Sequence, residues 1–250
     1  MLTIISSLLF GFAVGAVFRL SHLVHTLPGA ITPAVIAAVA AAILIMRSVG
    51  KRVQPVVEEA QRHLQGGRRE LALKSLKQAL GFQAWHPLLA GQVHAQVGAL
   101  EYASGNYDEA IAELEKASPR PWESKAFLAC AYFKKHDEEH MKKAFERAVK
   151  VGKKESLAWT LYAWCMVARG KKDEAAKILE RGLKEIPADQ RLQNNLELAQ
   201  SGKKLKVAPY AERWASFGLD GSTPGVPKGM KGFAQRPGFR PGFRQKPIRR

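Results

Sequence analysis

"GNYDEAIAELEKA", residues 105–117, sets the frame for the rest of the chain. A glycine opens it, an acidic start follows, and Ala110 and Ala117 flank Ile111 and Leu114. The frame returns in "GRRELALKSLKQA" (67–79) and "GKKDEAAKILERG" (170–182). Each runs from Gly to a small residue (Ala72, Ala110, Ala175), then a Leu (Leu76, Leu114, Leu179), then a second small residue (Ala79, Ala117, Gly182). A worn copy, "HDEEHMKKAFERA" (136–148), keeps Phe145 and Ala148 but has Met141 at the first small position. The copies start 38, 31 and 34 residues apart. Helical units recurring at this period stack as helix–turn–helix pairs. Small residues at this spacing share one helix face and admit a partner helix closely, while the large apolar residue between them fills the gap.

The fullest copy carries Trp159, Ala163, Gly170, Ala175, Leu179, Gly182 and Pro187. A second offers Gly98, Tyr102, Gly105, Tyr107, Ala110, Leu114 and Ala117. In these residues the chain resembles the tetratricopeptide-repeat family, with Ala163 standing for a Gly of its pattern and Gly182 for an Ala. The resemblance implies an all-α solenoid over residues 51–202. Its units are predicted at 53–86, 89–120, 122–155 and 156–189, and residues 188–202 are predicted as a capping helix with its polar face toward water. Family geometry implies a concave groove lined by the first helix of each pair, with Gln92, Tyr102, Phe133, Lys134, Thr160 and Trp164 among the lining residues. The competing reading makes Phe133 and Trp164 ordinary core residues, one position out of register. The Lys/Asn/Arg cluster with which chaperone-binding relatives hold a carboxylate terminus is missing from this set. The groove therefore implies a different protein or peptide ligand.

Charge divides the chain. Its net charge is +17 in 250 residues. Residues 51–202 hold 25 basic and 20 acidic side chains, residues 203–250 hold 12 and 2, and residues 1–50 carry only Arg19 and Arg47. Met1–Phe18 and Leu20–Met46 contain no charged side chain. A bilayer-spanning helix needs roughly 20 apolar residues. The pattern predicts a membrane anchor over 1–50, a helical hairpin with spans at about 2–18 and 28–46. A cleavable signal peptide is the alternative for the first segment, although it lacks a basic start. Arg47, Lys51 and Arg52 after the second segment predict a cytoplasmic flank at an inner or plasma membrane. His22 and His25 fall in the connector between the segments, near an interface where histidine is tolerated.

No catalytic constellation is legible, and the expectation is a non-enzyme without cofactor or metal. "HDEEH" (136–140) resembles a zinc-protease motif, but Asp137 replaces the Glu and the repeat frame puts His136 in a turn. Cys130 and Cys165 fall inside predicted helices and read as buried structural thiols. From residue 203 the chain reads as a disordered Gly/Pro/Arg-rich tail. Its twice-repeated "RPGF" and Arg236, Arg240, Arg244, Arg249 and Arg250 suit an anionic lipid surface or RNA. Tyr210, Trp214 and Phe217 share one helical face and predict a short docking helix, placed either in the protein's own groove or on a partner. Together these features predict a membrane-anchored interaction scaffold. The alternative is a membrane-tethered RNA- or ribosome-associated factor acting through the tail.

Overall fold

The computed structural model describes residues 2–20, 27–82 and 87–219, and every regular element in them is helical. The connector histidines and the arginines after residue 219 lie outside the described residues.

Helices α1 (Leu2–Leu20) and α2 (Leu27–Gln65) pack against each other. Their contact inverts the order of a water-soluble pair. Thr3, Ser7 and Gly11 are buried at a spacing of four, while Leu8, Phe10 and Phe12 on the same helix are exposed. A Cβ on Gly11 would come within 2.6 Å of the Ala34 carbonyl oxygen and 2.7 Å of the Ala38 Cβ. Such small-residue stripes bring helix backbones together when the solvent outside is apolar. Among the described residues, only α2 is long and apolar enough to cross a membrane, and the apolar stretch of α1, Leu2–Val17, is shorter. The expected separation between a second span ending near residue 46 and a first repeat helix starting near 53 does not occur. Helix α2 runs unbroken for 39 residues. Gly50 costs an exposed helix only about 1 kcal/mol. Pro55 is carried inside the helix.

The lower half of α2 pairs with α3 (Arg69–Ala79). Three more pairs follow: α4 (Pro87–Ser104) with α5 (Tyr107–Glu115), α6 (Trp122–Lys134) with α7 (Glu138–Val151), and α8 (Ser156–Ala168) with α9 (Lys172–Glu185). Helix α10 (Gln190–Gln200) closes the stack against α9. The second helix of each pair is amphipathic. On α7 the buried set is Met141, Ala144, Phe145, Ala148 and Val149, the spacing of one apolar stripe. The first helices α6 and α8 are buried on almost every side. A helix apolar all round requires neighbours all round. The partner helix and the adjacent repeats cover most of that surface, and the chain itself supplies the rest.

Turns between helices of a pair repeat one device. Gly67, Gly105 and Gly170 adopt φ of 71°, 86° and 79°, the left-handed region in which a side chain is disfavoured. The third pair has His136 at this position, with φ 64°. Arg169 of the next pair braces it: Nη1 lies 2.8 Å from His136 Nδ1, and Nη2 donates to the Phe133 carbonyl at 2.6 Å. Asp137 caps α7 through the His140 N–H at 3.1 Å and also engages the His140 ring. The "HDEEH" residues thus build a turn and a helix cap.

Candidate functional site: an occupied groove

The first helices α4, α6 and α8 line the concave side of the stack, and a strap from the C-terminal side of α10 lies across them. The strap consists of residues 205–219, with a 3-10 turn over Ala208–Tyr210 and a five-residue helix α11 (Ala211–Ala215). It enters at Asn195, a buried mid-helix amide on α10. The Asn195 side chain accepts from Lys206 N–H at 2.7 Å and donates to Lys206 C=O at 3.2 Å. A polar residue at 1% exposure is stable only when both halves of its amide are paired, and the strap backbone pairs them. The cap's polar face is therefore partly turned inward, not wholly toward water.

Tyr210 comes next. Its hydroxyl lies 2.8 Å from Thr160 Oγ1, and the Arg191 guanidinium sits 5.3 Å from its ring centroid. Trp214 meets Trp164 edge to face at 5.6 Å, and Trp164 meets Phe133 at 6.0 Å. Phe217 stacks on Phe127 at 4.5 Å and lies 6.5 Å from Trp122. Two donors then hold consecutive backbone carbonyls: Tyr102 Oη donates to Phe217 C=O at 2.6 Å, and Lys134 Nζ donates to Gly218 C=O at 3.1 Å. Arg213 of the strap reaches Glu155 at 3.0 Å. Tyr210, Trp214 and Phe217 are 6%, 3% and 2% exposed. Edge-to-face and offset-stacked rings at these separations add about 0.5–1.5 kcal/mol per pair beyond area burial.

The structure brings five of the six expected groove residues together. Tyr102, Lys134, Thr160 and Trp164 touch the strap, and Phe133 supports Trp164 from behind. Gln92, half-buried near the start of α4, stands outside that set. Trp122, Phe127, Arg191 and Asn195 belong to the groove and were not expected there. Phe127 shares α6 with Phe133 and Lys134, so the expected helix is right and the residue was missed within it. Asn195 carried its own signal, an amide in the middle of a helix predicted as a plain cap.

The expected helix through Tyr210, Trp214 and Phe217 is corrected in one respect. The chain kinks at Ala211, with φ 39°, and Gly218 has φ 53°. The three rings therefore descend into successive gaps between first helices instead of forming one stripe. Positive φ at alanine is costly and is held by the surroundings. Trp214 Nε1 is buried without an acceptor among the described residues.

Burial shapes the electrostatics of the groove floor. It pushes the Tyr102 phenol up, aided by the neighbouring Cys130, so the hydroxyl stays a donor. It pushes the Cys165 thiol up as well, aided by a hydrogen bond with the free Cys130 thiol. Lys134, which holds the Gly218 carbonyl, adds a cationic handle at one end of the groove.

A family model for the tetratricopeptide repeat matches residues 57–125 and 142–190. Among solved structures, a crystal structure of MamA protein superposes with a TM-score of 0.50 at 18% identity, covering 77% of this chain and 100% of that chain. A second crystal structure of MamA gives 0.47 at 19% identity over 57% of this chain and 83% of that one. At this identity the first likeness is one of fold. No curated protein matches the chain.

Proposed function

We propose, from the premise that this chain belongs to the tetratricopeptide-repeat family, that it is a membrane-anchored scaffold which binds a protein or peptide in its concave groove. Repeats of this family stack to present extended concave binding surfaces. One observation carries the proposal: the groove accommodates a peptide-like segment through three buried rings and paired backbone groups. Such a surface has the composition of a binding-interface centre, aromatic and desolvated. The anchor rests on the apolar exterior and small-residue seam of α1 and α2. A contiguous exposed apolar surface on two packed helices favours a lipid environment. Because α2 continues into the first repeat, the solenoid would stand close against the bilayer with no flexible tether. The basic flank at Arg47, Lys51 and Arg52 places the repeats on the cytoplasmic side in this reading.

Two experiments test it. A reporter fused after Arg250 is expected to be cytoplasmic, and exposure on the opposite face overturns the orientation. Crosslinking in native membranes is expected to capture partners that disappear with Lys134→Glu. An unchanged set of crosslinked proteins for wild type and Lys134→Glu overturns the groove as the site.

A further inference from the structure

We infer that segment 205–219 is a displaceable cis ligand, and that the groove takes in trans a peptide with aromatic residues at i, i+4 and i+7 and a basic residue at i+3. This rests on the peptide-binding reading above and names its ligand class.

Three observations converge. The groove's polar handles address groups that any peptide possesses. Tyr102 and Lys134 hold the carbonyls of Phe217 and Gly218, and Asn195 pairs both backbone groups of Lys206. Side-chain specificity comes from ring gaps and charge: Tyr210 under Arg191 and against Thr160, Trp214 against Trp164, Phe217 on Phe127, and Arg213 toward Glu155. These define the aromatic and basic spacing of the ligand.

The strap is also poorly satisfied within itself. Its longest α-helix has five residues, Ala211 holds a positive φ, and the Trp214 indole N–H has no acceptor among the described residues. A helix this short does not persist alone. Its order comes from the groove. Residues 201–204, which connect it to α10, are exposed along their whole length. The connection to α10 is therefore free of buried side chains, and release of the strap uncovers its ring contacts with α6 and α8.

A tethered segment competes at a high effective concentration, commonly millimolar for a short linker. A trans ligand therefore binds with an affinity reduced by the fraction of time the groove is open. The cis segment thus sets a threshold, which only a ligand with a good match or high local concentration crosses.

The test uses the full chain in lipid nanodiscs and a fluorescent synthetic peptide of residues 206–219. Wild type and the strap variant Trp214→Ala/Phe217→Ala are titrated by anisotropy. Binding to the variant is expected to be at least about tenfold tighter than to wild type. A peptide with its three aromatics replaced by Ala is expected not to bind. Equal affinity for both chains overturns the inference, as does binding to neither while far-UV circular dichroism stays helical. If the variant loses its helical signal, hydrogen exchange on wild type decides. Amides of 208–219 are expected to exchange at least about a hundredfold faster than the α6 and α8 core. Equal protection makes the strap a fixed part of the core and overturns the inference. The peptide assay needs no cellular partner. Loss of the crosslinking result with peptide binding intact therefore sinks the scaffold reading alone.

Discussion

Gly182→Ala sets a general rule against a local contact, and the two predict opposite signs. Position 182 is on α9, inside a helix, where Gly is about 0.8–1 kcal/mol less favourable than Ala. The family's pattern also has Ala there. Both arguments forecast a more stable protein. The structure forecasts the reverse. A Cβ at 182 would lie 2.8 Å from Trp159 Cγ, 3.0 Å from Cδ2 and 3.1 Å from Cβ. The ring cannot yield easily, because its Nε1 donates to the Lys153 carbonyl at 3.0 Å and the residue is 4% exposed. Overpacking of this kind costs typically about 1–3 kcal/mol. Straining the indole hydrogen bond adds about 0.5–1.5 kcal/mol. Subtracting the helix gain leaves a destabilisation of about 0.5–3.7 kcal/mol. For a chain of this size that lowers Tm by about 2–4 °C per kcal/mol. Thermal melts of wild type and variant, followed by far-UV circular dichroism, measure it. A double-mutant cycle supplies the mechanism: in a Trp159→Ala background the cost should vanish and Gly182→Ala should gain about 1 kcal/mol. An unchanged or raised Tm in the single variant refutes the reasoning, because the ring would then have room that the packing denies it.

Three further predictions follow from other contacts. Ala110→Leu, at a fully buried position on α5, should lower stability by about 1–3 kcal/mol through overpacking, and an unchanged melting midpoint would show that Ala110 faces no partner helix. His136→Gly should raise Tm modestly, since the left-handed conformation costs a non-glycine residue about 1 kcal/mol or somewhat more, offset in part by the loss of the contact with Arg169; a fall in Tm would make that contact the dominant effect. The third is a pH dependence. Arg181 bonds both oxygens of Glu146, at 2.8 and 2.7 Å, and these bonds hold the carboxyl below its ordinary range despite burial. A depressed folded pKa contributes stability that is fully present above the unfolded value of about 4.3 and is lost as pH falls through the folded value. The Tm gap between wild type and Glu146→Gln should therefore be open at neutral pH and close in acid, and a gap independent of pH would assign the effect to packing.

The strap shows where sequence reasoning stops. Tyr210, Trp214 and Phe217 stand out in the sequence because three aromatics at that spacing are unusual before a Gly/Pro/Arg-rich tail. Their spacing forecast one continuous helical face, whereas the chain kinks at Ala211. Local propensity contains nothing that forces an alanine into positive φ; the strap is fixed on both sides of it, by the Asn195 clamp before and the Phe127 ring after. Groove residues divide in the same way. Thr160, Trp164, Tyr102 and Lys134 follow from repeat register. Phe127 and Asn195 do not: Phe127 lies off the predicted positions of its helix, and the mid-helix amide of Asn195 is a local mark whose partner, the Lys206 backbone, only the fold supplies.

Sequence by itself determined the all-α repeat architecture. The recurring glycine turn and the small–large–small face are short-range patterns, and each dictates how one helix meets the next. The apolar character of α2 is equally local, a matter of composition over one segment. Only the tertiary structure decided what fills the groove. Tyr102 and Phe217 are 115 residues apart, and Lys134 and Gly218 are 84 apart. A stack of repeats forms from neighbour contacts alone. A segment that returns across three repeats is held by burial and hydrogen bonds whose partners meet only after the stack exists.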